Sequence, residues 1–162
     1  FDYFYGFLCG EMNQWYPTIY ENQNPVQPWG SPEEGYNVGI DQTDKAINWI
    51  RYQNSIAPDR PFLLYYAPGA THSPHHPPKE YAEKYKGKFA HGWDKHREIT
   101  FARQKELGVI PEYAKLTPRP DGLKAWDEWD DDAKKLFERQ MEVYACYYEF
   151  IDYQISRIVD AF

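Results

Sequence analysis

Basic residues, long apolar runs and cysteines are all scarce in this sequence. Lys and Arg total 18 against 25 Asp and Glu, so the net charge is −7 with neutral histidines. Proteins that hold nucleic acids neutralise the backbone phosphates with clustered Lys and Arg, and no such cluster is present. The longest apolar run covers residues 62–67, far below the roughly 18 residues that a membrane-spanning helix needs. We therefore expect neither a nucleic-acid nor a membrane partner.

The two cysteines, Cys9 and Cys146, are too few for a disulfide framework. Two buried thiols are the favoured interpretation, and a Cys9–Cys146 disulfide is the alternative. Neither lies in a pattern that activates a nucleophile, and the sequence has no G-x-S-x-G elbow and no G-x-x-x-x-G-K-[ST] phosphate loop. The chain begins at Phe1 rather than Met and shows no signal peptide. We expect the true amino terminus to lie upstream, which leaves the compartment open.

Aromatic side chains are abundant, at 19% of the residues within a hydrophobic share of 42%. This is enough apolar surface for a folded domain, or a large part of one, rather than a disordered chain. Many aromatics fall in residues 1–39, where prolines interrupt regular structure. We expect a long irregular segment there, with a weak alternation at 1–7 that suits a strand or an extended loop. Such a segment also suits a non-catalytic module that binds a carbohydrate or a protein.

Four segments have the features of helices. The first places three isoleucines on one face after an acidic first turn. The last segment has apolar residues at intervals of three, four or seven from Leu136 to Phe162. Three consecutive aspartates precede it, where negative charge favours the start of a helix. Gly87 and Gly108 are expected to end the second and third helices. The sequence predicts helices over 41–55, 79–86, 93–107 and 131–161.

The continuous apolar run at residues 62–67 predicts a strand buried on both faces, as in a parallel sheet covered by helices. Together with the helices, it indicates an α/β fold in which buried parallel strands are flanked by helices. Pro68 and Gly69 end the run, and further prolines stiffen the loop up to Pro78. Ligands of open α/β sheets bind at the carboxyl ends of strands. This loop is therefore the candidate site.

Three of the five histidines lie in this loop, at His72, His75 and His76. Imidazole exchanges protons near neutral pH and ligates metals, so the loop suits acid–base chemistry or a metal site. One alternative is a polar loop whose histidines cap the next helix or bond to backbone carbonyls. Another is zinc, bound by His72 and His75 with His76, His91 or His96 as a further ligand. No C-x-x-C or H-E-x-x-H pattern accompanies these histidines.

The loop contains Ala70-Thr71-His72-Ser73-Pro74, directly after the run that starts Pro61-Phe62-Leu63-Leu64-Tyr65. In this order, these and other stretches resemble bacterial arylsulfatases of the sulfatase branch of the alkaline phosphatase-like superfamily. The likeness runs through the whole chain. The other stretches are Phe1-Asp2-Tyr3-Phe4-Tyr5-Gly6-Phe7, Asn13-Gln14-Trp15-Tyr16-Pro17, Gly92-Trp93-Asp94, Arg103-Gln104-Lys105-Glu106-Leu107-Gly108 and Arg139-Gln140-Met141-Glu142-Val143-Tyr144-Ala145.

The resemblance implies an alkaline phosphatase-like fold, with residues 1–162 forming the central part of a single catalytic domain. It implies hydrolysis of small-molecule sulfate esters by a formylglycine, made from the Cys or Ser of a C-x-P-x-R motif, beside a calcium ion. Neither cysteine of this chain lies in such a motif, and the family's acidic metal ligands are absent. We expect both cofactors to be held by the remainder of the sulfatase chain, and the fragment alone to be inactive.

One site residue of the family maps onto this sequence. The histidine of the family's A-x-H-x-P pattern falls on His72, although Thr71 stands where many relatives have proline. The resemblance implies that His72 is catalytic and substrate-binding: it bonds to the sulfate ester oxygen and assists departure of the leaving group. The roles of His75 and His76 stay open. Hydrolysis of phosphate or phosphonate esters, known among related members of the superfamily, is the alternative reaction.

Overall fold

Four α-helices and one small β-sheet form the chain in a computed structural model, which describes residues 1–162. The helices are α1 (Val38–Ile56), α2 (Lys79–Ala82), α3 (Gly92–Glu106) and α4 (Asp131–Val159). The strands are β1 (Tyr5–Gly6), β2 (Ile19–Glu21) and β3 (Asn24–Val26). The predicted α/β character is confirmed, and no helix combines the length and the apolar character needed to cross a membrane.

All four predicted helices are present, and side-chain caps set where two of them begin. Asn37 accepts a hydrogen bond from the N–H of Gly39 at 2.9 Å, so α1 starts before the predicted residue 41. Asp130 accepts from the N–H of Ala133 at 2.8 Å and caps α4. Helix α2 is a single turn that continues as a 3-10 turn over Glu83–Tyr85.

The segment 1–39 is more regular than predicted, because it contains the whole sheet. The strands pair antiparallel in the order β1-β2-β3. The buried carboxylate of Asp41 in α1 accepts from the hydroxyls of Tyr5 at 2.6 Å and Tyr36 at 3.1 Å. A buried charge is tolerated only when it is hydrogen-bonded. This contact therefore ties the sheet to the first turn of α1.

The parallel strand predicted at residues 62–67 is not confirmed. The segment is extended, but no other part of the chain hydrogen-bonds to its backbone. The expected burial on both faces is wrong: Leu63 and Tyr65 are each 77% exposed, whereas Phe62, Leu64 and Tyr66 are half-buried. Successive side chains of an extended segment point to opposite faces, and only one face of this segment meets the helices.

The core against which the extended segment packs lies between α1 and α4. Its centre consists of Ala46, Ile47 and Ile50 from α1 and Ile158 from α4. The extended segment adds Phe62, Leu64 and Tyr66 to this core. Their contacts hold residues 62–67 in place, and so fix the point at which the following loop starts.

The two cysteines are free and lie in different environments. Cys146 in α4 is buried, as expected, and burial raises the pKa of its thiol to about 11. Cys9 is exposed, so the expectation that both thiols are buried is wrong for Cys9. Its sulfur donates to the carbonyl oxygen of Glu11 at 2.9 Å. A side chain in an irregular segment carries no periodic signal of its burial, which is why the sequence did not separate the two.

The open face of the extended segment predicts that the isolated chain self-associates. Leu63 and Tyr65 present apolar surface beside unpaired backbone groups, as at an exposed sheet edge. Burial of each such side chain contributes about 1.5–3 kcal/mol. We expect Leu63→Lys with Tyr65→Lys to lower the self-association constant at least ten-fold, measured by sedimentation velocity across concentrations.

Leu107→Lys is the matched control, because Leu107 is 61% exposed at the end of α3 and does not belong to the core onto which this segment packs. It should leave self-association unchanged. A wild-type chain that sediments as a monomer at every concentration would contradict the prediction.

Candidate active site

The histidine loop, residues 68–78, joins the extended segment to α2. Its first turn is closed by the N–H of His72, which donates to the carbonyl of Gly69 at 2.9 Å. The backbone at Gly69 lies against the amino-terminal segment so closely that a Cβ there would sit 2.9 Å from Nε2 of Gln14 and 3.1 Å from the Phe7 ring. A larger residue at this position would force the Gln14 side chain and the Phe7 ring to shift. The loop is thus seated on the segment that carries the sheet.

His72 lies at the surface in a small polar cluster with Glu11 and Ser73. Its Nδ1 is 2.8 Å from the carbonyl oxygen of Ser73 and 3.6 Å from Oε2 of Glu11. The Ser73 hydroxyl donates to the same Glu11 oxygen at 3.3 Å. The His72 side chain is 61% exposed. The ring therefore faces open space with one edge held.

The partners of His72 determine which ring nitrogen is free. A carbonyl oxygen only accepts hydrogen bonds, so the 2.8 Å contact to Ser73 requires the hydrogen on Nδ1. The Nε2 atom then accepts a proton when the ring is neutral and donates one when the ring is charged. Glu11 places a carboxylate beside the held edge. This arrangement can orient an imidazole toward an outside group.

His76 faces inward and fixes the far end of the loop. Its ring stacks on Trp15 with centroids 6.5 Å apart, and its Nδ1 accepts from the N–H of Gln14 at 3.4 Å. Its carbonyl oxygen accepts from Nδ2 of Asn37 at 3.0 Å. Burial, and then the nearby His75 charge, lower the pKa of His76. A neutral ring is the form that accepts from Gln14.

His75 packs on α4 between two tyrosines. Its ring meets the ring of Tyr144 edge to face at 5.3 Å and lies 6.2 Å from that of Tyr147. The hydroxyl of Thr71 donates to the hydroxyl of Tyr144 at 3.5 Å. These contacts dock the middle of the loop onto α4. They give His75 and His76 anchoring positions and leave His72 the exposed histidine of the loop.

The zinc alternative finds no support in this arrangement. His72 contacts Glu11, His75 contacts the tyrosines of α4, and His76 contacts Trp15 and Gln14. His91 and His96 lie together elsewhere, with Nε2 and Nδ1 3.2 Å apart. No three His, Cys, Asp or Glu side chains of the chain are grouped so that they can hold a metal ion. The chain's own residues therefore do not fit a calcium site either.

Glu11 and Tyr144 are contacts of the loop that sequence reasoning missed. Glu11 meets Ser73 across 62 positions of the chain, and Tyr144 meets Thr71 across 73. Glu11 lies in none of the stretches that resemble the family, and Tyr144 lies in one of them, residues 139–145, without any sign there that it meets the loop. Only the fold brings such distant positions together, so no local signal could have found them.

Comparisons with known proteins identify the family to which the chain belongs. The model of the sulfatase family matches residues 1–162, and the chain belongs to this family. It is 41% identical over 102 residues to an uncharacterized sulfatase of Schizosaccharomyces pombe, covering 61% of this chain and 18% of that protein. It is 26% identical over 113 residues to an arylsulfatase of Klebsiella aerogenes, covering 70% of this chain and 24% of that protein. The matches thus span less than a quarter of these relatives.

The half-buried position of His76 gives a prediction about pH. Burial lowers its pKa below the value of about 6.5 of a free histidine. As the pH falls below about 6.5, His76 of the unfolded chain is protonated while His76 of the folded chain stays neutral. The free energy of unfolding therefore decreases until the pH reaches the pKa of His76 in the folded chain. We expect the His76 ring to titrate below the same histidine in the urea-unfolded chain, measured by two-dimensional ¹H–¹⁵N NMR. Titration at or above the unfolded value would show that the ring is not desolvated.

Proposed function

We propose that this chain is the central part of the catalytic domain of an arylsulfatase, and that its His72 contacts the ester oxygen of the substrate. Family membership supports sulfate ester hydrolysis as the class of reaction. The observation that carries the assignment is the exposed His72 ring, whose Nδ1 is held by Ser73 while its Nε2 makes no hydrogen bond within the chain. An imidazole oriented in this way suits an outside oxygen atom.

The chemistry proposed for His72 is proton donation to the leaving group. When the S–O bond to the ester oxygen breaks, the bonding electrons stay on that oxygen, which becomes basic. The Nε2–H of protonated His72 transfers its proton to the oxygen, and the neutral ring keeps its Nδ1–H bond to Ser73. The Glu11 carboxylate, 3.6 Å from Nδ1, stays close to the ring in both states. An exposed ion pair contributes little to stability, so orientation is the role we assign to Glu11.

The nucleophile and the metal belong, in this proposal, to other parts of the protein. The family resemblance implies formylglycine and calcium, but the residues of this chain provide neither a C-x-P-x-R motif nor a cluster of metal ligands. The matches cover only 18% and 24% of the two curated relatives. The remainder of the catalytic domain is therefore the partner that we propose for the histidine loop.

Replacement of His72 tests its role in the full-length protein. We expect His72→Ala to lower kcat/KM for 4-nitrophenyl sulfate by about 10²-fold, as for loss of a general acid. The loss should grow for 4-methoxyphenyl sulfate, because its phenolate is more basic and needs the proton more. Steady-state kinetics over such a series give the dependence on leaving-group pKa.

His91→Ala is the control, since His91 is also exposed but lies outside the loop. It should keep wild-type kinetics. If His72→Ala changes nothing, His72 does not contact the substrate. If the loss is the same for all leaving groups, His72 binds the ester without donating a proton.

A second test concerns the chain alone. We expect the purified 162-residue chain to hydrolyse no 4-nitrophenyl sulfate, phosphate or phenylphosphonate, because it lacks the motif for the nucleophile. The coding sequence upstream of Phe1 should contain C-x-P-x-R. Turnover by the chain would refute the division of the site. A stop codon upstream without this motif would favour the carbohydrate- or protein-binding module.

A further inference from the structure

A pair of histidines outside the histidine loop lies at the start of α3. His91 directly precedes the helix, and His96 lies five positions later, in the second turn. Their rings stack with centroids 5.4 Å apart, and Nε2 of His91 lies 3.2 Å from Nδ1 of His96. His91 is exposed and His96 is half-buried. The two ring nitrogens therefore meet at the surface of the molecule.

The separation of these two nitrogens is close to that of neighbouring ligands in a metal site. Zinc binds histidine nitrogens at roughly 2.0–2.1 Å, usually in tetrahedral geometry. Two nitrogens bound to one tetrahedral ion in this way are about 3.3–3.4 Å apart. The observed 3.2 Å agrees with this value to within about 0.2 Å, the tolerance for distances in a metal site. One ion can therefore contact both nitrogens after a small movement of the rings.

The packing of α3 holds the two histidines near each other. A Cβ at Gly92 would overlap the Trp126 ring, and Gly92 has a φ of +71°, so only glycine fits beside His91. The carboxylate of Asp94 accepts from the backbone N–H of Trp126 at 2.9 Å. The His96 ring meets the ring of Phe89 edge to face at 5.4 Å. Because these contacts already order the segment, binding of an ion needs little further ordering.

Both rings can present a lone pair to the same ion. Neutral imidazole is the form that ligates metals, and each neutral ring carries a single hydrogen. When this hydrogen lies on Nδ1 of His91 and on Nε2 of His96, the two facing nitrogens are both free to bind. Burial, and then the nearby His91 charge, lower the pKa of His96, which favours its neutral ring. An ion would then replace the hydrogen bond between the rings without release of a proton.

The ligands of the pair indicate which class of metal ion fits. The carboxylates closest in sequence are already paired, Asp94 with Arg119 at 3.1 Å and Glu98 with Lys95 at 2.8 Å. No third His, Cys, Asp or Glu side chain joins the two histidines. Imidazole suits zinc, copper and nickel ions, whereas Ca²⁺ and Mg²⁺ take oxygen ligands. The pair therefore favours a divalent transition metal over calcium.

We propose that His91 and His96 form a two-histidine site for a divalent transition-metal ion, represented by Zn²⁺, with water at the remaining positions. The ion links the residue that precedes α3 to the second turn of this helix and so stabilises the start of α3. The site differs from the zinc site weighed for the histidine loop, which needed His72 and His75. It is also independent of the proposed function, because neither histidine belongs to that loop.

The test is titration of the full-length protein with ZnCl₂ by isothermal titration calorimetry, in excess CaCl₂ so that calcium sites are filled. We expect His91→Gln and His96→Gln each to raise the Kd of one Zn²⁺ at least about ten-fold, because even residues that only support a metal ligand contribute 10–100-fold. A glutamine amide can still hydrogen-bond to the remaining histidine. These variants therefore keep the contact between the side chains and remove one nitrogen ligand.

His72→Gln is the matched control, because it makes the same change at an exposed histidine outside the pair. It should bind Zn²⁺ as the wild type does. Equal Zn²⁺ binding by the wild type and both variants of the pair would overturn the proposal and leave a hydrogen-bonded pair only. An effect of one variant alone would also overturn it, because a shared ion needs both nitrogens. An equal effect of His72→Gln would do the same.

A crystal structure of the full-length wild type grown with ZnCl₂ gives the answer without a variant. An anomalous difference peak should lie roughly 2.0–2.1 Å from Nε2 of His91 and from Nδ1 of His96. A map without this peak, or with a peak that touches one of the two nitrogens, would overturn the proposal. Zn²⁺ bound between the histidines of a protein that hydrolyses no sulfate ester would support the metal site and refute the proposed function.

Discussion

The contact between α1 and α4 fixes the point from which the histidine loop starts, and residues of or next to these two helices also anchor its middle and its end. Isoleucines from both helices form the core onto which Phe62, Leu64 and Tyr66 pack, so the loop starts from a fixed point. Asn37, which caps α1, holds the carbonyl of His76, and Tyr144 of α4 contacts His75. A loop held at its start, middle and end loses little further conformational freedom when it binds a ligand. The packing of two helices thereby limits the motion of residues that neither helix contains.

The sequence patterns predict the helices of this chain correctly but do not predict its extended elements, and the reason is physical. A helix of many residues repeats its apolar face several times, and caps such as Asp130 mark its start. Leu136 belongs to the apolar repeat of α4 but is 57% exposed. Periodicity shows which residues share a face of a helix, but it does not show whether another element covers that face. The strands have two or three residues each, too few for any alternation to repeat. The run at 62–67 is apolar on both faces, yet only one face meets a helix within the chain.

In the candidate site, too, residues within one short segment could be predicted from the sequence, whereas their partners from distant segments could not. His72 stands out from the sequence because a cluster of histidines among prolines is rare and because the family pattern falls on it. Glu11, which contacts His72, and Tyr144, which contacts Thr71 and His75, come from segments that are far apart along the chain. A concave surface between α3 and α4 combines Trp93 and His96 of α3 with Phe137, Met141 and Tyr144 of α4, and helical spacing relates the residues within each helix but not the two sets to each other. Chemistry carried by one short segment can be read from sequence, whereas chemistry shared between segments requires the fold.

Three histidines within five positions have the same side chain and acquire different properties from their surroundings. Partial burial lowers the pKa of His76 and so favours the neutral ring, whose Nδ1 accepts from the backbone N–H of Gln14. The His75 ring packs against the rings of two tyrosines of α4. Both of these histidines pack against other parts of the chain, whereas the His72 ring is exposed with Nδ1 bonded to Ser73. A histidine-rich loop therefore need not be a metal site, because an imidazole can also anchor a loop through its ring or its nitrogen atoms.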